Sequence, residues 1–219
     1  MNNSNSSIWR WQDAAIVVLG VAVLTFALIN YKALPDQLPL HFDIRGNVNR
    51  YGKKLNVIGL LAFFGLFLPL ILGVVRRIDP RQSNYDKFQN AFGMIRLAIA
   101  AVLDLLLVAV VLNGLGHKIN MKNDILLGVG LLFIVMGNSL PQVKGNFFVG
   151  FRTPWTLSDP EVWRKTHRLG GRLWVLAGIL TGIAAFLPDF WSRAAVIVSI
   201  ISLAVIPTVY SWWISKKPD

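Results

Sequence analysis

Long apolar runs separated by shorter polar connections set the pattern of this chain. They lie near Asp13–Asn30, Leu55–Val75, Ala91–Asn113, Asp124–Leu140, Gly171–Leu187 and Ala194–Ile214. A helix needs roughly 20 such residues to cross a hydrocarbon core of about 30 Å. Pro69, Pro207, Gly178 and Gly182 fall inside the runs. Breakers of this kind are tolerated where neighbouring helices satisfy the freed backbone groups. The pattern predicts an all-α polytopic membrane protein with six transmembrane helices. It divides into an N-terminal two-helix unit (1–75) with a connecting loop at 31–54, and a four-helix unit (90–219) with a polar segment at 141–172.

Within the first loop, Leu38, Leu40, Phe42 and Ile44 alternate with polar residues, which is the strand period. Arg45-Gly46-Asn47 then supplies turn chemistry ahead of Val48 and Tyr51. A short hairpin follows from this pattern, bringing together Pro39, His41, Phe42, Asp43 and Gly46. His41 and Asp43 share a side of the strand, but two candidate ligands do not make a metal site, and a hydrogen-bonded structural histidine is the simpler reading.

The polar segment between the fourth and fifth runs is richer. Asn146 and Gly150 flank an apolar Phe147-Phe148-Val149 cluster, and Arg152-Thr153-Pro154-Trp155 forms a turn because Pro154 disfavours helix at Thr153. Ser158-Asp159-Pro160-Glu161 reads as a capping box with proline in the first turn, so a helix starts near Asp159. Val162, Trp163, Thr166 and Leu169 follow helical spacing, with Arg164, Lys165, His167, Arg168 and Arg172 around the other sides. The expectation is a basic amphipathic helix lying at the membrane interface, with its cations at anionic lipid, and bending at Gly170-Gly171 into the fifth run. A docking surface for a cytoplasmic partner, or a clamp folded against the bundle, are the other readings, because large aromatics and cations on a loop mark recognition surfaces.

Composition sharpens this. The 219 residues are 54% hydrophobic and only 15% charged, against roughly 25% in a soluble domain. There is no cysteine, hence no disulfide framework and no thiolate site. The formal charge of +11 would point to nucleic acid in a soluble protein, but here the cations flank apolar runs and no groove-reading motif is present. The first run reads as a retained span rather than a cleaved signal.

Orientation follows from where Lys and Arg collect. One side holds Arg10, then Arg76, Arg77, Arg81 and Lys87, then Lys144, Arg152 and Arg164–Arg172, then Lys216 and Lys217. The other holds Lys32, Arg45, Arg50, Lys53 and Lys54, then Lys118, Lys122 and Arg193. The richer side is cytoplasmic, which puts both termini and the 141–172 segment inside and the hairpin outside. Trp9, Trp11, Trp212 and Trp213 sit at run ends as an interfacial belt predicts.

Asp104 stands in the middle of the third run, where a charge is expensive and is usually paired or functional. Arg96 is eight positions earlier, roughly 12 Å along a helix, so direct pairing is strained. A small ion-coupled transporter or exporter using Asp104 is therefore one functional reading. HExxH, Gly-x-Ser-x-Gly and P-loop patterns are missing from the sequence. Without a nucleophile, base and oxyanion hole, the chain does not read as an enzyme, and no cofactor is implied.

Two segments carry a family resemblance. Asn146 to Ser158, with Val162-Trp163, Thr166-His167-Arg168 and Gly170-Gly171, resembles the signature of SdpI-family membrane proteins. Leu34-Pro35, Leu38-Pro39, His41-Phe42 and Gly46 resemble the uncharacterised domain that commonly precedes it. The resemblance implies a bacterial cell-membrane protein that protects its producer from a secreted peptide toxin. It also implies that the toxin-bound protein recruits a cytoplasmic transcriptional repressor to the membrane. On that basis the hairpin is the expected toxin-facing element and Arg152–Arg172 the expected partner-facing one.

Overall fold

Helix ends in this chain are set by side chains that satisfy the backbone groups a helix leaves unpaired. The structure, a computed structural model, describes residues 10–43 and 45–216. Trp9, Ile44 and Lys217, read above as anchor, strand and flanking positions, lie outside those residues. Helix α1 (Trp11–Ile29) starts where the Asp13 carboxylate accepts the Arg10 N–H at 2.9 Å. A two-stranded antiparallel hairpin follows, β1 (Gln37–Phe42) and β2 (Val48–Lys53). The chain then climbs through α2 (Lys54–Ala62), a π-helical turn at Phe63–Phe67 and α3 (Leu68–Val75) without leaving helical geometry. Next come α4 (Gln89–Gly114), α5 (Met121–Ser139), the short α6 (Pro154–Ser158), α7 (Pro160–Ala184) and α8 (Asp189–Ser215).

Helices pack in an order close to their order in sequence: α1 on α4, α4 on α5, α5 on α7 and α7 on α8. One end of the bundle gathers the start of α1, the 76–88 connection, the 140–159 segment and the end of α8. There Arg10 Nη1 donates to Gln89 Oε1 at 2.6 Å, and the Thr153 and Ser211 hydroxyls are 3.1 Å apart. The opposite end carries the hairpin and the α7–α8 connection. Leu34, Leu38, Val57, Leu107, Val110 and Met121 form the core under the hairpin, while Tyr85, Phe88, Phe92, Val143 and Trp163 form the core at the other end.

The outer surface stays apolar. Val18, Val21, Ile71, Val74, Leu131, Ile197, Ile200 and Val205 are all exposed on the helices. Among the described residues, five helices, α1, α2–α3, α4, α5 and α8, are long and apolar enough to cross a membrane. The chain is a multi-pass membrane protein with a mainly helical fold. The expected fifth run is not an independent element but the second half of α7, whose charged first half keeps the whole helix below the apolarity of its neighbours.

Glycine explains how α5 and α7 approach so closely. A Cβ at Gly137 would stand 2.7 Å from the Gly171 carbonyl oxygen, and one at Gly130 would stand 2.7 Å from the Gly178 carbonyl oxygen. Small residues at such crossings let membrane helices meet backbone to backbone. At Gly170-Gly171, the site of the expected bend, α7 runs as one unbroken helix. Gly171 faces Gly137 and Pro141, and Gly170 lies under the Phe151 ring.

The expected Ser158–Glu161 capping box is also replaced. Asp159 caps α7, with Oδ1 accepting the N–H of Glu161 at 2.7 Å and of Val162 at 3.3 Å. Ser158 instead ends α6, donating to the Pro154 carbonyl at 2.6 Å. Both residue types cap helices well, and the adjacent helix α6 claims the serine.

Candidate functional site

The 141–172 segment folds as a polar cap over the end of the bundle that carries α1's start. Asn146 is its organiser and is fully buried. Its Oδ1 accepts the N–H of Phe148 (2.8 Å) and of Val149 (2.7 Å), and its Nδ2 donates to the carbonyls of Lys144 (2.8 Å) and Val149 (3.0 Å). This uses nearly all of the amide's bonding capacity. Gly150 adopts φ +108, open to glycine, and any Cβ there would run into the His167 ring.

Thr153 caps α6, accepting the Thr156 N–H at 3.2 Å, and Pro154 takes the first helical position where its missing N–H costs nothing. Buried Thr156 returns a hydroxyl bond to the Phe151 carbonyl at 2.6 Å. Arg152 folds back on the loop, donating from Nη1 to the Phe147 carbonyl at 2.8 Å. Trp155 remains half-buried on the cap surface.

Trp163 and His167 lie one helical turn apart and stack, with ring centroids 4.0 Å apart. Trp163 is only 4% exposed and donates from Nε1 to the Val143 carbonyl at 2.8 Å. His167 receives the Phe151 N–H at Nε2 (3.0 Å), so its Nδ1 carries the proton shared with the Trp163 carbonyl (2.9 Å). Burial holds this imidazole down to about 4, against the weaker opposing effect of the Trp163 carbonyl. Thr166 is buried beside them. The face of α7 expected to rest on lipid therefore rests on protein, and Trp163, Thr166 and His167 are buried beneath the cap.

What the cap leaves exposed is cationic. Glu161 engages Arg164 through two bonds (2.8 and 2.5 Å) and Lys165 at 3.4 Å. The Arg164 hydrogen bond, with Lys165 adding to it, holds the Glu161 carboxyl near 2. Arg168 and Arg172 are exposed and carry no ion pair among the described residues.

A second clasp was not anticipated. Asp79 is 3% exposed, accepting the Tyr85 hydroxyl (3.0 Å) and the Phe147 N–H (2.9 Å) at Oδ2, and the Arg81 N–H (2.7 Å) at Oδ1. Arg81 Nη2 reaches the Leu157 carbonyl at 2.9 Å. The 76–88 connection thus locks the cap onto the two-helix unit. Burial, with the Asp79 carboxylate adding to it, raises the Tyr85 phenol above its usual range. The Asp79-Pro80 pair is the one local signal that could have marked this turn.

At the opposite end, His41 and Asp43 do not act together. His41 Nδ1 shares a proton with Asn49 Oδ1 at 2.7 Å, across the hairpin. Asp43 closes the turn, its Oδ1 accepting the N–H groups of Arg45 (2.8 Å) and Asn47 (2.9 Å); the Asn47 N–H is the main cause that holds the carboxyl below its ordinary value. Pro39 is buried in β1 and Phe42 half-buried at its end. Gly46, at φ +82, seats the hairpin tip on α5, where a Cβ would stand 2.7 Å from the Lys122 nitrogen. Beneath it a cleft of about 290 Å³ opens between Phe42, Asp43, Lys122, Leu126 and Thr181. No cluster of three metal-ligating side chains occurs among the described residues.

Asp104 is 4% exposed, and its Oδ2 has no hydrogen-bond partner among the described residues. It lies against Gly65 in the π-helical turn, where a Cβ would collide with its carboxylate. Arg96 turns elsewhere, pairing with Asp13 of α1 at 2.7 Å.

Comparison with known proteins brings the two ends of the chain together. Residues 142–211 match the SdpI/YfhL protein family, and residues 17–73 match a domain of unknown function, DUF1648. The chain is similar to the Immunity protein SdpI of Bacillus subtilis (strain 168), with 26% identity over 207 residues, 93% of this chain and 95% of that one. No solved structure matches the chain.

Proposed function

We propose that this chain is a member of the SdpI family and an integral membrane immunity protein giving resistance to a secreted peptide toxin. The observation that carries the reading is the end-to-end likeness to the Bacillus immunity protein, which takes in both the hairpin unit and the cap. The apolar girdle of the bundle supports action from within the membrane.

In this reading all six long helical stretches cross the bilayer, α7 through its second half, and the cap and both termini face the cytoplasm. The excess of Lys and Arg at the cap end supports that orientation. The hairpin and the cleft beneath it face outside, where an apolar peptide with a cationic or polar end would meet Phe42, Leu126, Asp43 and Lys122. The cap is the output face. Its accessible residues Arg152, Trp155, Arg168 and Arg172 would hold an acidic surface of a cytoplasmic repressor. Toxin can bias the cap only by binding two arrangements of the bundle unequally. The Gly46–Lys122 contact supplies a mechanical link from hairpin to α5, and α5 to α7.

The test is survival of a toxin-sensitive bacterium expressing this chain. Resistance with the chain inserted in the membrane is expected. Full sensitivity despite insertion overturns the reading.

One observation favours a second reading. Buried Asp104, unpaired and set against a π-helical turn, is the kind of intramembrane carboxylate that ion-coupled transporters use. Flux into proteoliposomes that is lost in Asp104→Asn would favour it, and absence of flux in both would remove it.

A further inference from the structure

The same end of the bundle holds a cavity that no part of the preceding account uses. It measures about 320 Å³ and lies between the start of α1, the end of α3 and the start of α4. Four arginines line it: Arg10, Arg76, Arg77 and Arg96. Asp13 is the one carboxylate in the lining, and both its oxygens are committed, Oδ1 to Arg96 Nη1 (2.7 Å) and Oδ2 to the Arg10 N–H (2.9 Å). The balance of the lining is therefore strongly positive.

Three of these arginines have unused donors. The side chains of Arg76 and Arg77 make no hydrogen bond or ion pair among the described residues, although the Arg77 backbone N–H donates to the Val74 carbonyl at 2.9 Å. Arg96 is 5% exposed, and its Nε is buried without a partner. A buried guanidinium N–H left unpaired costs free energy that an arriving acceptor oxygen would recover.

Besides Gln89 and Tyr85 the remaining wall is apolar and includes Ile71 and Val74, which are about half exposed on the outer surface of α3. The cavity thus has a cationic floor at a helix end and a greasy flank continuous with the membrane-facing surface. A free phosphate would use only the floor. We infer that this cavity binds the headgroup phosphate of an anionic phospholipid, with an acyl chain lying along Ile71 and Val74. Basic pockets between membrane helices bind acidic headgroups in this way. The inference depends on membrane insertion and not on toxin immunity. It also relocates the lipid contact expected of α7, where Arg164 and Lys165 are already engaged by Glu161.

The test is lipid binding by the purified full-length chain, comparing phosphatidylglycerol with phosphatidylcholine and with inorganic phosphate. Retention of phosphatidylglycerol at least tenfold above phosphatidylcholine is expected. A drop of roughly thirtyfold in that binding is expected in the double variant R76Q/R77Q, from the loss of two cations. Among the described residues these two side chains hold no hydrogen bond or ion pair that the fold depends on, and elution as a single folded species checks this. The exposed-face control R164Q/R168Q should bind as the wild type does. Equal binding of both lipids, unchanged binding in R76Q/R77Q, an equal loss in R164Q/R168Q, or displacement of the lipid by millimolar inorganic phosphate would each overturn the assignment.

Discussion

His167 accepts the backbone N–H of Phe151 through Nε2 at 3.0 Å, while its Nδ1 is bonded to the Trp163 carbonyl at 2.9 Å. A carbonyl only accepts and an N–H only donates, so this pair of bonds admits the neutral Nδ1–H tautomer alone. Protonation at Nε2 would set two N–H groups against each other beneath the cap.

A pH dependence follows. The imidazole is held at about 4 in the folded protein, against 6.5 when free. The unfolded chain thus binds the extra proton first, so stability from this group is fully present above about 6.5 and is lost as pH falls toward 4. The loss is on the order of 3 kcal/mol, from roughly 1.4 kcal/mol per pKa unit. Thermal unfolding in detergent at pH 7.5 and 5.0 should show it, and His167→Gln should flatten the difference. An unchanged pH profile in His167→Gln would contradict the assignment.

Trp163→Ala should destabilise the protein by about 3–5 kcal/mol, because it opens a cavity and orphans the Val143 carbonyl. Trp163→Phe keeps most of the packing and should cost about 1–2 kcal/mol through the lost hydrogen bond. Denaturant unfolding in mixed micelles measures both. If Trp163→Ala instead leaves stability intact, the residue is free for a partner and the buried-anchor reading fails.

The Asp13–Arg96 pair ties α1 to α4 across 83 positions. Removing one partner of a buried pair leaves the other charge uncompensated, at about 3–5 kcal/mol. Asp13→Leu and Arg96→Leu should each lose that much, whereas the double variant should lose markedly less. A double-mutant cycle showing simple additivity would exclude the coupling.

How much of this was visible in the chain beforehand depends on distance along it. The alternation Leu38-Leu40-Phe42 belongs to a strand, and Pro160 does mark the start of α7, because both signals are local. Arg96 and Asp104 share a helix, yet the partner of Arg96 is Asp13, which no periodicity connects to it. The apolar stripe of Val162, Trp163 and Thr166 reads the same whether lipid or protein covers it. Only the position of Val143 and Phe151 decides for protein. Gly171 and Gly178 likewise look like breaks until Gly137 and Gly130 are seen opposite them.

That glycine seam makes its own prediction. Gly137→Leu or Gly171→Leu must push α5 and α7 apart, since the nearest atoms are backbone rather than flexible side chain. Each should reduce the folded fraction recovered from membranes severalfold, by roughly 1–3 kcal/mol of overpacking or more. Gly182→Ala, where a Cβ meets open space, should be tolerated. Size-exclusion profiles of the three variants check this, and equal recovery of all three would contradict the seam.

The most direct measurement of the central claim is toxin dose against survival in a Bacillus subtilis strain deprived of its own SdpI and expressing either this chain or its Asp104→Asn variant at matched membrane abundance. The account predicts that both restore survival to the same degree, because protection comes from the folded receptor and not from ion flux through Asp104. Failure of both to protect, or protection by the wild type that Asp104→Asn abolishes, would contradict it.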